Sequence, residues 1–592
     1  MIQSIDYAAI APPLILALVA GLVLLLDVFL PRRPGTRAVL GYVTLAGVLA
    51  ALAVVAAQAV QGVRLATFCV PARPAGPLRP REEPAACSFV VDDLTLIFAG
   101  VILATAVVIV LLSMTQLART PAPDAVRTSL DPSLPTPANT GSTSASSGPT
   151  PTSTGPTPAS ARPIPASVGP TPAGTGPVHA ATRPIPAGEW YFLLLCALTG
   201  AVTLPASRDL IMLVVALELV SLPVFALTAL KRYDARASEA ALKLFLVSVV
   251  STAIMLFGVS LLYGLTGSVH LERIAASLNA PLSAMTAAGP VTMDATSAAA
   301  LPAAALSATA VPATAVPAGV LTVAVVLVLA GFAFKVAAVP FHFWAADVYQ
   351  GAPVPVAALL SVISKAAGFA GLILVLTIAL AGQSGLWAPI VAVLAALTMT
   401  AGNLLALRQR HAVRLLAWSS VAQSGYILAA LSVAGKTAAA ASIAYLVIYA
   451  AMNVGAFAVV MAAGQAGERN ELEDYRGLAF REPFSALALA FFLICLAGLP
   501  PGLAGLFAKV VVFREIVRGG DGLLAVVMAV NTVIGLYYYI AWTARLFTPA
   551  VAPGAKPAGR GAVRPAVIAV AVALVVSLAF SVAPQIVLSA AG

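Results

Sequence analysis

The chain has 592 residues, of which 60% are hydrophobic and only 9% are charged. Soluble domains average about 25% charged residues, so this composition excludes a soluble globular protein and predicts an integral membrane protein. The net charge of +10 would suggest nucleic-acid binding in a soluble chain. Here the basic residues lie mostly between apolar segments, so they predict orientation in the membrane and no nucleic-acid partner.

Fourteen segments are apolar enough to cross a bilayer as helices of about 20 residues. They are residues 8–30, 37–60, 93–114, 189–206, 209–230, 238–265, 319–349, 353–381, 386–407, 412–434, 437–464, 483–515, 523–548 and 563–590. The first is predicted to be a span and not a cleaved signal peptide, because no Lys or Arg precedes it. An even number of spans places both termini on the same side.

The orientation follows from the distribution of Lys and Arg. Of the 33 basic residues, four lie within spans, and 20 of the other 29 lie in or beside connections that follow odd-numbered spans. Cytoplasmic loops carry the excess of Lys and Arg. These connections are therefore predicted to be cytoplasmic, and both termini to be outside.

Two segments interrupt the spans. Residues 115–188 contain consecutive seven-residue repeats of similar composition, GPTPTST, GPTPASA, RPIPASV, GPTPAGT, GPVHAAT and RPIPAGE. This composition favours polyproline II and predicts a disordered cytoplasmic insertion or a docking segment for a proline-binding partner. Residues 274–318 are rich in Ala and Pro and predict an outside loop or an interfacial helix. The chain is therefore predicted to divide into residues 1–114 with spans 1–3, the insertion 115–188, residues 189–273 with spans 4–6, the outside loop 274–318, residues 319–381 with spans 7 and 8, residues 386–548 with spans 9–13, and residues 563–590 with span 14.

The four cysteines form no CxxC motif, which argues against an iron–sulfur or structural zinc site in this chain. Cys69 and Cys87 share one predicted outside loop. That compartment permits a disulfide between them, and two free thiols are the alternative.

Four lysines lie within predicted spans, and every acidic residue but one lies in a connection or near a span end. The exception is Glu218, and Lys243 on the next span is predicted to lie within two helical turns of it in depth. These two residues form either part of a charge pathway or only a neutralising ion pair. The other three lysines, which have no acidic partner on an adjacent span, are Lys335, Lys365 and Lys509.

Two of these lysines lie beside predicted helix breaks. Pro340 follows Lys335 by five residues, and Pro500 and Pro501 precede Lys509. Proline removes a backbone donor, and a charge beside a helix break at membrane depth typically marks an ion or proton pathway. Burial weakens the hold of a lysine on its proton, and a nearby carboxylate strengthens it. Lysines served by one movable glutamate therefore predict a proton relay.

The remaining polar and aromatic residues of these spans are less informative. His342 either relays protons at the cytoplasmic end of this route or is a packed, satisfied histidine. His411, among arginines, is predicted to be interfacial. Tyr537-Tyr-Tyr539 and Trp542 are predicted to be interfacial-belt or core aromatic residues and not a cofactor site.

Several segments together closely resemble the antiporter-like, proton-translocating subunit N family of bacterial NADH–quinone oxidoreductase (complex I). They are Leu217-Glu-Leu-Val-Ser-Leu-Pro223, Ser238-Glu-Ala-Ala-Leu-Lys-Leu-Phe245, Phe334-Lys-Val-Ala-Ala-Val-Pro-Phe-His-Phe-Trp344, Asp347-Val-Tyr-Gln-Gly-Ala-Pro353, Arg414-Leu-Leu-Ala-Trp-Ser-Ser420, Leu496-Ala-Gly-Leu-Pro500 and Gly535-Leu-Tyr-Tyr-Tyr539. The resemblance covers nearly all the spans but neither insertion.

The resemblance implies an all-α fold of fourteen spans, with two inverted five-helix repeats and discontinuous helices 7 and 12. It assigns Glu218 and Lys243 to the family's glutamate–lysine pair, Lys335 and Lys365 to its central lysines, and Lys509 to its broken twelfth helix. Two positions depart from the family pattern. Ala346 replaces a proline, and Gln423 replaces a histidine, so proton transfer through the latter position is in doubt.

The resemblance implies a subunit of a translocase located in the bacterial cell membrane. NADH, FMN, iron–sulfur clusters and quinone are expected in partner subunits, and no cofactor is expected in this chain. The expected partners are adjacent antiporter-like and small membrane subunits and the lipid bilayer. A subunit of a multisubunit cation/proton antiporter is the alternative, and a structural spacer without transport is disfavoured by the intramembrane charges.

Overall fold

The structure is a computed structural model that describes residues 5–31, 34–62, 64–72, 84–119, 185–231, 234–279, 318–464, 470–549 and 564–587. The predicted insertions 115–188 and 274–318 lie mostly outside these ranges. At the described ends of the first insertion, one helix continues to Arg119 and the next helix begins at Ala187. The described residues on either side of the first insertion belong to one compact unit.

Long apolar helices dominate the described part of the chain. In the N-terminal half the helices, long and short together, are α1 (Tyr7–Phe29), α2 (Pro34–Gln61), α3 (Asp93–Arg119), α4 (Ala187–Thr203), α5 (Leu210–Ala229), α6 (Ala235–Thr266) and α7 (Leu271–Leu278). They are followed by α8 (Ala318–Lys335), α9 (Trp344–Gly351), α10 (Val354–Leu359), α11 (Lys365–Leu374), α12 (Ser384–Ala406), α13 (Ala412–Leu431), α14 (Lys436–Ala463), α15 (Leu478–Arg481), α16 (Pro483–Ala497), α17 (Leu503–Arg518), α18 (Gly522–Phe547) and α19 (Arg564–Val582).

The helices match the predicted spans closely. Twelve helices of the described residues are long and apolar enough to cross a membrane. Two further predicted spans correspond to α13 and to the pair α16 and α17. The predicted span 319–349 is divided into α8 and α9, so the chain has the two interrupted helices that the sequence suggested.

The first interruption follows Lys335, the last residue of α8. Ala337 has a left-handed φ of 57°, and the Ala338 amide donates to the Ala333 carbonyl at 2.7 Å, which ends the helix. A left-handed conformation costs an alanine about 1–2 kcal/mol, so the neighbouring packing must hold this turn in place. Pro340 lies in the turn, and its peptide bond with Val339 is cis.

The second interruption separates α16 from α17. Gly498 ends α16 with a left-handed φ of 84°, and the peptide bond between Pro500 and Pro501 is cis. Gly505, in the first turn of α17, lies so close to the Cys495 carbonyl that an added Cβ would be 1.7 Å from its oxygen. This close approach brings the end of α16 alongside α17.

An antiparallel hairpin is an addition to this mostly helical fold that the sequence analysis did not predict. Strands β1 (Leu65–Val70) and β2 (Ala86–Val91) pair, and Cys69 lies opposite Cys87, to which it is joined by a disulfide. The two strands lie in the connection after the second span, where the search for 20-residue apolar segments does not detect them. Arg273 of α7 donates to the Pro71 and Pro84 carbonyls and so connects the residue after β1 to the segment just before β2.

The span that carries Lys365 is continuous but irregular. Between α10 and α11 the helix widens into a π-helical segment at Leu360–Ser364, and a second one follows at Val375–Ala379. π-Helical turns are frequent at functional sites because they displace side chains from regular helical positions. Lys365 is the first residue after the first of these segments.

Candidate functional site

Lys335 is buried at the end of α8, with 6% of its surface exposed. Its ammonium donates a hydrogen bond to the Ser221 hydroxyl on α5, and that hydroxyl donates to the Leu217 carbonyl at 2.7 Å. Glu218, on the same helix, acts electrostatically on Lys335. The partly buried Glu218 carboxylate lies three residues before Ser221 on α5, so it is on nearly the same face of that helix as the hydroxyl bonded to Lys335.

The predicted pairing of Glu218 with Lys243 is not formed in this structure. Glu218 accepts a hydrogen bond from Thr252 of α6 at 2.6 Å, and Lys243 lies nine residues earlier on that helix. At 1.5 Å per residue this separation is about 14 Å, or two and a half turns. This separation exceeds the two turns expected from counting residues outward from the connection between the helices, because the Glu218 carboxylate meets α6 farther from that connection, at Thr252.

Lys243 instead belongs to a charged cluster at the predicted cytoplasmic end of the site. Its ammonium lies 2.7 Å from Glu239 and 3.2 Å from Asp347 of α9. The other Asp347 oxygen pairs with Arg414 of α13 at 2.8 Å, and Arg414 also donates to the Gln350 side-chain oxygen at 2.9 Å. The sequence analysis did not assign Asp347 to the site, although it lies three residues after the start of the second half of the broken helix.

Lys365 is the most deeply buried of these cations, with 1% of its surface exposed. Its ammonium donates to the Ser420 carbonyl at 2.6 Å and to the Ser424 hydroxyl at 2.9 Å, both on α13. No described carboxylate lies within 4.0 Å of it. Neutral oxygens alone therefore stabilise this charge.

A small cavity lies beside Lys335 and reaches Ser364, the residue that precedes Lys365. Its lining includes Lys335, Ser221, Ser248 and Ser364, and its volume is about 10 Å³. That volume is close to the minimum that holds one water molecule. The Ser248 hydroxyl is buried with no hydrogen-bond partner among the described residues, so the cavity offers a polar group to such a water.

Gly368 brings α11 close to Lys335. An added Cβ at this position would lie 3.1 Å from the Lys335 Cγ atom. Gly368 is three residues after Lys365 and therefore on nearly the same face of the helix. The glycine allows the two lysine-bearing helices to pack closely.

A hydrogen-bonded cluster of tyrosines lies beyond Lys365. Gln423 accepts from Tyr445 at 2.6 Å and donates to Tyr539 at 3.2 Å. Ser419 and Tyr539 are hydrogen-bonded at 2.5 Å. Tyr539 was predicted to be a belt or core aromatic residue, and it is buried, with its hydroxyl in this network. Both groups of the Gln423 amide are occupied, so its side chain is held in one orientation.

The network continues on the Lys509 side of the cluster. Tyr426 stacks on Tyr445 with ring centroids 6.1 Å apart, and the Lys509 ammonium lies 5.4 Å from the Tyr426 ring centroid. The Tyr426 hydroxyl accepts from Asn403 at 3.2 Å. Tyr538, the neighbour of Tyr539, donates to the same Asn403 side chain at 3.0 Å.

Lys509 turns back onto the end of α16. Its ammonium donates to the carbonyls of Ala497 at 2.6 Å and Leu496 at 3.2 Å. These carbonyls lack helical partners because α16 ends there, and they form the negative end of the helix dipole. The broken helix thus supplies the acceptors that make a buried Lys509 tolerable.

His342 lies in the turn between α8 and α9. Its ring packs against Trp418 with centroids 5.5 Å apart, and its Nδ1 atom is buried with no hydrogen-bond partner among the described residues. The third residue of α9 is the buried Ala346, so this helix forms without the family's proline. The geometry leaves both interpretations of His342 open.

Comparisons with known proteins agree with this geometry. The family described as "NADH:quinone oxidoreductase/Mrp antiporter, TM" matches residues 207–535, which include all five intramembrane charges. A chain of respiratory complex I from Thermus thermophilus superimposes with a TM-score of 0.64 at 28% identity, covering 98% of both chains. A chain of the Mrp complex from Dietzia has a TM-score of 0.69 at 19% identity over 98% of this chain and 96% of that one, a similarity of fold alone.

Two relatives are similar over long stretches of sequence. NADH-quinone oxidoreductase subunit N 2 of Streptomyces griseus is 43% identical over 93% of this chain and 85% of its own length. NADH-quinone oxidoreductase subunit N of Salinispora tropica is 47% identical over 62% of this chain and 67% of its own length. With its multi-pass helical fold, the chain therefore belongs to the NADH-quinone oxidoreductase subunit N family.

Proposed function

We propose that this chain translocates protons as a membrane subunit of an NADH–quinone oxidoreductase, and that Glu218, Lys243, Lys335, Lys365 and Lys509 form the relay. One observation carries the proposal. Lys335, Lys365 and Lys509 are all buried, and their direct hydrogen-bond partners are hydroxyl and carbonyl oxygens. An unpaired charge at membrane depth is costly and typically functional.

The chemistry of these sites suits reversible protonation. Neutral oxygens accept a hydrogen bond from an ammonium but do not cancel its charge, so they hold the proton less firmly than a carboxylate does. Lys335 is bonded to Ser221, three residues after Glu218 on α5, whereas Lys365 is bonded to α13 and Lys509 to the end of α16. A change in the position of Glu218 would therefore alter the first lysine selectively.

The route between the lysines follows the polar groups in the structure. From Lys335 a proton would pass through the small cavity at Ser364 to Lys365, which is the next residue in the chain. From Lys365 it would pass along the hydroxyl groups of α13 and the tyrosine cluster to Lys509. Because an amide does not take up a proton at ordinary pH, Gln423 would orient Tyr445 and Tyr539 without carrying a proton itself.

The membrane arrangement is part of the same proposal. We infer fourteen spans in a bacterial cell membrane, inverted five-helix repeats, and both termini outside. The hairpin with the disulfide between Cys69 and Cys87 then lies outside, in a compartment that favours disulfides. Adjacent antiporter-like and small membrane subunits would be the partners. NADH, FMN, the iron–sulfur clusters and quinone would be bound by other subunits of the complex.

A subunit of a cation/proton antiporter is the second candidate. The Mrp complex chain favours it, because its fold covers 98% of this chain. The sequence identities favour the first candidate, since the relatives that are 43% and 47% identical are both named as subunit N.

The test is the substitution Lys335→Ala in the reconstituted complex. We expect pumping to fall to near zero and NADH oxidation to fall with it, because the two steps are coupled. Lys436→Ala changes a lysine at an exposed position at the start of α14 and serves as the matched control. Pumping at the normal rate by a fully assembled Lys335→Ala complex would refute the relay.

A further inference from the structure

Asp347 is the side chain on which the charged cluster at Lys243 is centred. It is the acidic residue of the second half of the broken helix, α9, and its two oxygens contact Lys243 of α6 and Arg414 of α13. It thereby joins three helices through one carboxylate. The Asp347 carboxylate itself has no part in the relay described above, although its partner Lys243 belongs to that relay.

Lys243 cannot serve Asp347 and Glu218 at the same time. The Glu218 contact on α6 is Thr252, about 14 Å along the helix axis from Lys243 at 1.5 Å per residue. The Lys243 side chain is 44% exposed, and its flexible four-carbon stem allows it to swing between positions. While Lys243 pairs with Asp347, Glu218 remains available to Lys335.

The surroundings of Asp347 suit it to exchange this partner. Arg414 stays charged at all ordinary pH values and holds the second Asp347 oxygen at 2.8 Å. Asp347 would therefore remain paired when Lys243 leaves. Glu239 also contacts Lys243, but it lies one turn away on the same helix and moves with the lysine, so it cannot sense a displacement between helices.

We propose that Asp347 is a positioning residue for the relay: it holds the Lys243 ammonium away from Glu218, and displacement of α9 relative to α6 releases that ammonium to extend along α6 toward Glu218, which weakens the electrostatic hold of Glu218 on Lys335. The proposal rests on the proton-translocation function proposed above. In this proposal the second half of the broken helix sets when Lys243 is released. It can do so because α9, which carries Asp347, directly follows the turn after Lys335.

The experiment measures protons pumped per NADH in the reconstituted complex. Asp347→Asn is expected to lower this ratio about fivefold or more, and Asp347→Glu is expected to restore most of it. Lys243→Gln removes the ammonium that Asp347 holds and should itself lower the ratio, and adding Asp347→Asn to it should lower the ratio by about twofold more at most. Glu473→Gln removes another carboxylate paired with arginines, Arg476 and Arg545, and is the matched control.

Three results would overturn the proposal in an assembled complex. One is a ratio for Asp347→Asn that equals that of Glu473→Gln. The second is an equally large further loss of protons pumped per NADH when Asp347→Asn is added to Lys243→Gln. The third is a ratio for Asp347→Glu as low as that of Asp347→Asn. Either of these two results would show that Asp347 only ties α9 to α13. Lys335→Ala separates the two hypotheses. Normal pumping by that variant would refute the relay itself. Loss of pumping in Lys335→Ala together with normal pumping in Asp347→Asn would refute only the role of Asp347.

Discussion

The two interrupted helices place a buried lysine beside a break, but they stabilise its charge in different ways. Lys335 is the last residue before the first break, and it faces the Ser221 hydroxyl and the field of Glu218. Lys509 follows the second break and binds the carbonyls that end α16. A carboxylate on another helix can move, whereas helix-end carbonyls are fixed by the backbone. In the proposed relay, the first site would therefore switch its proton affinity, and the second would keep a constant one.

The largest effect is expected from removing the movable charge. Glu218→Gln keeps the size of the side chain and its hydrogen bond from Thr252 but abolishes the field at Lys335. Pumping should fall about tenfold or more, as measured by acidification of proteoliposomes. Thr252→Val, which leaves the Glu218 charge in place, should have a much smaller effect, and equal losses for the two variants would contradict the assigned role of Glu218.

The next effect concerns the hydroxyl at the first site. Ser221→Ala removes the acceptor of the Lys335 hydrogen bond, and hydrogen bonds to charged groups typically contribute about 1.5–3 kcal/mol. Pumping should fall about tenfold while the complex stays assembled. Ser260→Ala, which removes an exposed hydroxyl bonded to its own helix, should leave pumping unchanged. A normal rate in Ser221→Ala would show that Glu218 alone stabilises Lys335.

A backbone change should separate the second site from the first. Gly498→Ala puts a side chain at a φ of 84°, which costs about 1–2 kcal/mol and shifts the carbonyls that bind Lys509. The thermal unfolding temperature of the complex should fall, and pumping should fall a few-fold. Gly264→Ala in α6, where an added Cβ has no neighbour within 4 Å, is the control; an unchanged unfolding temperature in Gly498→Ala would contradict the account of the break.

The smallest effect is expected at the aromatic ring beside Lys509. Tyr426→Leu removes a cation–π contact that contributes about 0.5–2 kcal/mol, and Tyr426→Phe keeps the ring but loses the hydroxyl bonded to Asn403. Pumping should fall more in the leucine variant than in the phenylalanine variant. The reverse order would mean that the hydroxyl, and not the ring, is what the relay uses.

The sequence predicted the parts of this site that depend on charge and helix breaking. Lys335, Lys365 and Lys509 are conspicuous because charges within long apolar segments are rare, and Pro340 and Pro500 mark the interruptions. The partners of these residues could not be predicted in the same way. Whether Lys243 meets Glu218 or Asp347 depends on the offset between helices, which no single segment encodes.

Two other features escaped the sequence analysis for different reasons. Tyr445 and Tyr539 lie in apolar helices where a buried tyrosine looks like any core aromatic residue, so only the contact with Gln423 reveals the network. The hairpin strands are six residues each, too short to show beside spans of about 20 residues.

The measurement that tests the central claim most directly is the number of protons pumped per NADH by Lys335→Arg. Arginine keeps the positive charge beside Glu218 and Ser221 but does not release its proton at ordinary pH. The account predicts an assembled complex whose pumping is as low as that of Lys335→Ala. A normal ratio in the arginine variant would show that the charge of Lys335 matters and the transfer of its proton does not.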